Sequence, residues 1–360
     1  MDFTFTDEQQ MLRDSVSGFL TKNYDFDQRN EIVRSDTGWS RDIWRQFAEL
    51  GLLGLPFPEN QGGFGGGATE TVAIAEPFGA HLLAEPYIAC ISLGGAAVAA
   101  AGNSDWLEKV MNGDAIAAFA YEEGRGTADP IQVTMQATPT DEGFILTGEK
   151  RMVLAGGEAD ILVVAAELDD ELGLFLVDPS ADGLSVTSYP TMDGRRAANI
   201  RFEAVLANSI MEKPGEAIRT LLDNAILAIC AESVGAMGAL MKQTAEYAGT
   251  RKQFGVSIGS FQVVAHRMAD MKIAYNKARA TLLYSAALIE AGEATQKDIA
   301  ILKGQTGKLG REIGEAAIQT HGGVGMTDEL SVSHYHKRIL ANDALLGSSE
   351  YHLRKVGTLS

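Results

Sequence analysis

The sequence predicts an α+β protein with an N-terminal α-helical domain, a middle β-sheet domain and a C-terminal four-helix bundle. Three observations indicate this: apolar residues recur at helical spacing near the start of the chain, short β-type runs follow residue 114, and helical periodicity returns after residue 215. With 360 residues, 46% of them hydrophobic, the chain is long enough for several compact cores. We expect domains at residues 1–113, 114–210 and 211–360.

The first domain is predicted to be helical throughout. Thr6 followed by Gln9 can form a capping box, which starts a helix at once. Trp44 and Phe47 mark a second amphipathic helix. The Pro- and Gly-rich stretch 51–67 then requires a loop before the helical pattern resumes.

The middle domain is predicted from short β-type runs separated by Gly, Asp and Pro. The runs are residues 143–148, 161–164, 173–178 and 184–187. Because each is followed by a turn signal, we expect a compact sheet that ends near residue 206.

The C-terminal domain is predicted to contain four long helices, since apolar residues follow 3–4 spacing over long segments. One stripe is Phe261, Val264, Met268, Met271, Tyr275, Ala278 and Leu282, and the next is Ile299, Leu302, Thr306, Leu309, Ile313 and Ala316. Glycines at 304, 307, 310 and 314 would weaken an isolated helix, so we expect them at close helix contacts. Glu232 is expected to be paired inside the bundle.

The formal net charge of −18 argues against nucleic acid or an anionic membrane as a partner, and an anionic cofactor would need local donors. Acidic residues stand at the N-terminus where a targeting leader would carry positive ones. The weakly polar stretch 87–102 is shorter than the roughly 20 strongly apolar residues that a membrane span needs. We therefore expect a cytoplasmic protein.

No metal site is predicted. Cys90 and Cys230 lie far apart in sequence, fit no metal-ligand spacing, and are expected to be buried in a reducing compartment. His334 and His336 lack metal-like partners and are read as a helix-surface feature.

Two Gly-containing segments stand out in the C-terminal half. The first is Arg251-Lys252-Gln253-Phe254-Gly255, and the second is Gln319-Thr320-His321-Gly322-Gly323-Val324-Gly325. A guanidinium after a long helix can bind a pyrophosphate with paired hydrogen bonds, and glycines let the backbone approach a ligand. Each segment alone also fits a simpler interpretation, as a helix C-terminal charge complement or a glycine C-cap.

Taken together, the two segments resemble the dinucleotide-binding elements of the acyl-CoA dehydrogenase family, and the resemblance covers nearly the whole chain. It implies a barrel-like middle domain and an FAD that both segments contact across a dimer interface, so that the flavoprotein is not a monomer. The FAD-binding residues implied are Arg251, Gln253, Phe254, Gln262, Gln319, Thr320, His321, Gly322 and Gly323, with Ser348 and Glu350 from a Gly-Ser-Ser-Glu turn. For the ring of His321 we expect a structural role, because no carboxylate neighbours it in sequence.

The resemblance also implies the reaction. Members desaturate an acyl-CoA thioester between Cα and Cβ: a base removes the Cα proton and the flavin accepts the Cβ hydride. Fatty acid β-oxidation and steroid side-chain degradation are the processes implied, with an electron-transfer flavoprotein as the acceptor.

The residues that would perform this chemistry differ from the family pattern. Leu346 stands where the catalytic glutamate usually precedes the turn, and the other position used for the base, on the first bundle helix, is Ala225. Asp223 is a candidate base only if that helix is shifted or bulged, since two residues turn a helix by about 200°. Leu154 has no hydroxyl for flavin N5, and the loop at residues 119–127 departs from the family's flavin-contacting sequence.

Three interpretations follow. The chain is one subunit of a heteromeric acyl-CoA dehydrogenase, similar to the divergent small subunits that act on dicarboxylyl or steroid side-chain thioesters, and it completes the FAD site of a partner that carries the base. Alternatively it is a self-sufficient homotetramer with an unusual base such as Asp223. The third alternative is a non-catalytic scaffold that binds flavin or acyl-CoA, and a flavin oxidase or monooxygenase on the same fold is a further enzyme alternative.

Overall fold

The computed structural model describes residues 4–124, 132–212 and 214–359. Contacts divide the chain into two compact units. The first, here called the helical unit, comprises Met1–Asn30, Gly67–Leu83 and Ile226–Ser360, and the second, the sheet unit, comprises Glu31–Gly66 and Ala84–Ala225. Each unit collects segments from more than one predicted domain, and the boundaries at 113 and 210 stay predictions.

The helical unit is built from long helices and one small hairpin. Its helices are α1 (Asp7–Asn23), α4 (Ala68–Ala80), most of α7 (Gly215–Thr250), α8 (Gln262–Glu290), α9 (Gln296–His321), α10 (Ser331–Ala344) and α11 (Ser349–Thr358). The short helix α2 (Phe26–Arg34) begins in this unit. Helices α7 to α9 are long, as predicted. The prediction of a fourth long helix was wrong, because a turn at residues 345–348 divides the last part of the chain into the shorter helices α10 and α11.

The predicted capping box is present at the start of α1. The Thr6 hydroxyl accepts a hydrogen bond from the Gln9 amide at 3.2 Å, and the Gln9 side chain accepts one from the Thr6 amide at 3.0 Å. Two backbone donors at the helix start are thereby satisfied, which confirms the prediction.

Helices α4 and α7 pack backbone to backbone through two glycines. A Cβ on Gly79 would lie 1.7 Å from the Glu232 carbonyl oxygen, and a Cβ on Gly235 would lie 1.8 Å from the Glu76 carbonyl oxygen. Any side chain at either position would push the helices apart.

Two buried acidic residues of the helical unit are paired. Glu232 accepts a hydrogen bond from the guanidinium of Arg338, which also donates to the Leu83 carbonyl at 2.8 Å. Glu76 lies between Arg13, at 2.5 Å, and Arg279, at 3.0 Å. The prediction that Glu232 is paired inside the bundle is therefore confirmed.

The sheet unit begins with helical segments. They are α3 (Arg41–Glu49), a π-helix (Tyr87–Gly95), α5 (Ala96–Ala100) and α6 (Ser104–Met111). Helix α3 begins after Ser40, whose hydroxyl accepts from the Ile43 amide, and it buries Trp44 and Phe47 as predicted.

The sheet closes on itself. Its strands are β1 (Ala117–Ala120), β2 (Gln136–Thr140), β3 (Gly143–Leu154), β4 (Ile161–Leu168), β5 (Glu171–Val177), β6 (Leu184–Pro190) and β7 (Arg196–Glu212). Pairing runs β4-β2-β3-β7-β5, and β5 pairs back to β4, so these five strands form a ring to which β1 and β6 attach. Closure removes exposed sheet edges and gives the barrel-like domain that the resemblance implied.

Several elements escaped the sequence prediction. Strand β1 reads Ala-Ala-Phe-Ala, a composition typical of helix, and β2 contains Pro139, which disfavours a strand. Strand β7 carries the sheet to Glu212, past the predicted end near residue 206. Helix α2 is mostly polar, and its few apolar residues form no continuous stripe that would reveal it.

Candidate functional site

The first Gly-containing segment forms a hairpin directly after α7. Strands β8 (Lys252–Gln253) and β9 (Val256–Ser257) pair antiparallel, and the Ile258 amide donates to the Arg251 carbonyl at 2.9 Å. Phe254 and Gly255 make the two-residue turn with φ of +52° and +84°, as hairpin turns of this type require. The side chains of Arg251 and Gln253 are exposed, and that of Phe254 is 93% exposed at the tip.

The hairpin tip contacts the start of α8. The rings of Phe254 and Phe261 meet edge to face with centroids 6.3 Å apart. Gln262, the first residue of α8, is exposed, and Phe261 before it supplies no side-chain cap. Gln262 is thus presented beside the hairpin.

The second segment ends α9 and contacts the last turns of α7. The ring of His321 is buried and stacks on that of Tyr247, with centroids 4.3 Å apart and planes at 25°. Its Nδ1 lies 2.9 Å from the Ala317 carbonyl, and the Thr320 hydroxyl donates to the Ala316 carbonyl at 2.7 Å. His321 of the second segment therefore packs against α7 four residues before Arg251, and the position of its ring supports the structural role that we expected for it.

Two glycines in this segment adjoin open space. Gly322 has φ +66°, which favours glycine, whereas Gly323 is free of that restriction, and a Cβ on either residue would meet no atom within 4 Å. At Gly325, by contrast, a Cβ would lie 2.9 Å from that of His321. Packing thus explains Gly325, while at Gly323 the missing side chain leaves room for something outside the chain.

These residues fit a dinucleotide. Arg251, Gln253, Gln262 and Gln319 are all exposed donors, and the backbone at Gly323 is open to approach. Arg251 supplies the positive charge that a pyrophosphate needs on a protein of net charge −18.

Leu346 occupies a tightly held turn. It is 4% exposed and has φ +55°, a conformation costly for a residue with a side chain, and Gly347 follows with φ +94°. Ser348 then caps α11, because its hydroxyl accepts from the Tyr351 amide at 3.3 Å, and Glu350 is exposed in the first turn. The backbone of this turn is well supported although no carboxylate stands at position 346.

Helix α7 is α-helical without interruption from Gly215 to Thr250. Ala225 is fully buried and Asp223 is partly buried. Since the helix has no bulge in this region, the side chains of Asp223 and Ala225 leave it in directions that differ by about 200° around the helix axis. The shift that the Asp223 hypothesis required is absent from the described helix.

The sheet unit buries an ion pair between Lys150 and Glu123, and Glu123 belongs to the loop at residues 119–127 that departs from the family pattern. The Lys150 ammonium donates to Glu123 at 2.8 Å and to the Tyr121 carbonyl at 3.2 Å. Burial lowers the pKa of Lys150 to about 8. Burial alone would raise the pKa of Glu123, but hydrogen bonds from Lys150 and Thr134 outweigh it and lower that pKa to about 2.

Leu154 and the loop at residues 119–127, the two places where the sequence departs from the family pattern, are placed as follows. Leu154 ends β3 and is buried. The Glu123 side chain also accepts hydrogen bonds from the backbone of Thr134 and Met135. In the predicted loop at 119–127, residues 125–127 lie outside the part of the chain that the structure describes.

The cysteines and histidines show no ligand arrangement. Cys90 and Cys230 are buried, which raises the pKa of their thiols to about 12 and about 11. His334 Nδ1 lies 3.0 Å from the Arg29 guanidinium. Within residues 4–124, 132–212 and 214–359, no three His, Cys, Asp or Glu side chains are grouped to hold a metal ion.

Among the described residues, the one apolar helix of membrane-spanning length is α7, and the apolar helix at Tyr87–Ala100 is shorter. By length and composition alone α7 could cross a membrane, but 72% of its most apolar window is buried within the protein. Core helices of globular proteins share these properties.

Sequence reasoning missed Tyr247 and two residues that hold the 345–348 turn, Lys303 and His352. Lys303 gave one signal: it interrupts the apolar and glycine face of α9, between Leu302 and Gly304. A lysine on a buried stripe is unusual and requires a specific partner.

Comparison with known proteins identifies the class. Three family models match in order: the N-terminal domain of acyl-CoA dehydrogenase over residues 6–114, its middle domain over 118–205, and its C-terminal domain over 215–358. The protein is thus an FAD-dependent oxidoreductase by class. It belongs to the acyl-CoA dehydrogenase family, whose members act on the CH–CH bond of acyl-CoA and use FAD as cofactor.

Relatives cover the whole chain. The acyl-CoA dehydrogenase FadE27 of Mycobacterium tuberculosis is 29% identical over 370 residues, which span 99% of this chain and 98% of the relative. The crystal structure of the ChsE4–ChsE5 complex from Mycobacterium tuberculosis contains a chain that matches with a TM-score of 0.91 at 29% identity. The match covers 99% of this chain and 98% of the matched chain. A variant of the steroid ACAD Tcur3481–Tcur3483 matches with a TM-score of 0.90 at 28% identity, over 98% and 97%.

Proposed function

We propose that this chain is one subunit of a heteromeric acyl-CoA dehydrogenase and completes the FAD site of a partner subunit that carries the catalytic base. One observation carries the proposal: the 345–348 turn is fully built, yet Leu346 stands where the base belongs, while the exposed segments at Arg251 and Gly323 remain intact. A leucine cannot remove a proton.

Under this proposal, residues of this chain bind the FAD and orient it. Arg251 provides a planar guanidinium for the pyrophosphate, and Gln262 and Gln319 offer amide groups to its ribose or adenine ends. The open backbone at Gly323 permits close approach, and Phe254 supplies an apolar surface. Bound FAD supplies the hydride acceptor for the α,β-desaturation.

The substrate proposed is a steroid side-chain or dicarboxylyl thioester of coenzyme A. Its support is similarity at 28–29% identity to a complex of two named chains and to a steroid ACAD. We propose further that the heterotetramer is cytoplasmic and passes electrons to an electron-transfer flavoprotein.

The first test is flavin content and turnover. The purified chain alone should hold little FAD and desaturate no acyl-CoA, whereas co-expression with an adjacently encoded acyl-CoA dehydrogenase-like chain should restore both. Full flavin loading and turnover by the single chain would disprove the heteromer. Bound flavin that acyl-CoA fails to bleach anaerobically, with the partner present, would instead favour the non-catalytic scaffold.

A matched pair of variants tests the contact surface. A Cβ would meet no neighbour at Gly323 or at Gly249, an exposed glycine of α7. Gly323→Leu should therefore leave folding intact but reduce FAD binding by the complex about tenfold or more, because the side chain fills the ligand's approach. Gly249→Leu should bind FAD as the native complex does. Equal FAD affinity in both variants would remove Gly323 from the site.

A further inference from the structure

Lys303 lies on the inner face of α9 and is 1% exposed. Its ammonium donates three hydrogen bonds, to the carbonyls of Asn342 at 3.1 Å, Asp343 at 2.7 Å and Gly347 at 2.9 Å. A lysine ammonium has three N–H donors and no acceptor, so all of its hydrogen-bonding capacity is used on this one stretch of backbone.

The three carbonyls need such a partner. Those of Asn342 and Asp343 belong to the last turn of α10, where the helix supplies no further amide and the dipole is negative. That of Gly347 belongs to the 345–348 turn itself, close to its C-terminal end. One positive charge therefore ties the end of the helix to the far side of the 345–348 turn.

Two more side chains support the same turn. The Asp343 carboxylate accepts from the Ser349 amide at 2.9 Å and from the Ser349 hydroxyl at 3.2 Å. His352 Nε2 lies 2.8 Å from the Leu346 carbonyl oxygen, within hydrogen-bonding distance. Gly307 permits this packing, because a Cβ there would lie 1.9 Å from an Asp343 carboxylate oxygen.

We propose that Lys303 is a positioning residue that fixes the 345–348 turn and thereby places the Ser348 hydroxyl for its predicted flavin contact. That Lys303 fixes the turn concerns the backbone alone. Only the placement of Ser348 for the flavin rests on the proposed function. Lys303 itself touches backbone and acts through the turn.

The test compares Lys303→Met with Lys308→Met, an exposed lysine one turn further along α9. Met replaces the apolar stem of the lysine with an unbranched chain but leaves three buried carbonyls without donors. Hydrogen–deuterium exchange of peptides covering residues 342–352 should become about tenfold faster or more in Lys303→Met and stay native in Lys308→Met, with α1 unchanged in both. Unchanged exchange would overturn the positioning role.

FAD binding by the co-expressed complex is the second readout. Its dissociation constant should rise about tenfold in Lys303→Met and stay native in Lys308→Met. Faster exchange with unaltered FAD affinity would overturn the step from the turn to the flavin, whereas exchange remains decisive even if the complex binds no FAD. If Lys303→Met does not fold, Lys303→Gln keeps two N–H donors and should give intermediate exchange.

Discussion

Tyr247 and His321 stack with ring centroids 4.3 Å apart, and this contact joins the two segments that identify the family. Tyr247 lies one helical turn before Arg251, and His321 is the residue before Gly322. The stack therefore sets the spacing between the guanidinium and the open glycine backbone.

Removing the ring of Tyr247 should loosen both segments together. We expect Tyr247→Leu to lower the free energy of unfolding by about 1–2 kcal/mol and to weaken FAD binding by the complex, since an aromatic pair contributes up to about 1.5 kcal/mol beyond its buried area. Tyr247→Phe keeps the stack and should match the native protein in chemical denaturation and flavin titration. Native FAD affinity in Tyr247→Leu would show that the stack does not set the spacing.

Replacing Asp223 should leave the reaction of the complex intact. On a continuous helix its side chain points away from the direction of Ala225. We expect Asp223→Asn to turn over within about twofold of the native complex, as should the exposed control Glu216→Gln. A loss of turnover confined to Asp223→Asn, with FAD still bound, would instead favour Asp223 as the base and with it the self-sufficient enzyme.

The helix contact at Gly235 should tolerate no side chain. Gly235→Ala places a Cβ 1.8 Å from the Glu76 carbonyl oxygen, so α4 and α7 must separate, and we expect a loss of about 3 kcal/mol or more in thermal or chemical denaturation. Gly18 is exposed on α1 with no neighbour within 4 Å of a Cβ. Gly18→Ala should therefore be neutral or stabilise by up to about 1 kcal/mol. Similar losses in the two variants would refute the close contact.

The buried pair of Glu123 and Lys150 should make stability depend on acid pH. The pKa of Glu123 is about 2 in the folded protein against an ordinary value of 4.5. The contribution of the ionised Glu123 is therefore complete above about pH 4.5 and is lost as the pH falls toward 2.

Denaturation as a function of pH checks this expectation. Glu123→Gln should be less stable than the native protein by about 3–5 kcal/mol at pH 7, because Lys150 stays buried without its charge partner. The difference between the two proteins should shrink below pH 4.5. Glu149→Gln, in a surface pair with Arg151, serves as the control and should change stability by less than about 1 kcal/mol. A difference that does not change with pH would contradict the assigned pKa.

Local sequence signals predicted much of the fold. The Thr6 capping box and the α9 stripe from Ile299 to Ile313 depend on neighbours within a few residues, and both are present. Strand β1 was missed because alanine reads as helix, and only its pairing with β4 makes it a strand.

In the candidate site too, features that depend on local sequence were predicted and contacts between distant helices were not. The two segments were identified from their residues and their order, and the lack of a carboxylate at position 346 was visible in the sequence. The stacking of Tyr247 on His321 and the three hydrogen bonds of Lys303 join helices distant in sequence. No local pattern encodes such contacts, since they exist only once the helices have packed.

The exposure of the Phe254 side chain bears on how the synthesis of the two proposed subunits is balanced. Its ring is 93% exposed on the hairpin tip, and under the proposed function this apolar surface stays in water until the partner subunit covers it. A cell that makes this subunit in excess would then accumulate chains whose hairpin tip has no partner to cover it. Under the proposed function, selection would then act on the ratio in which the two subunits are synthesised as well as on the activity of either.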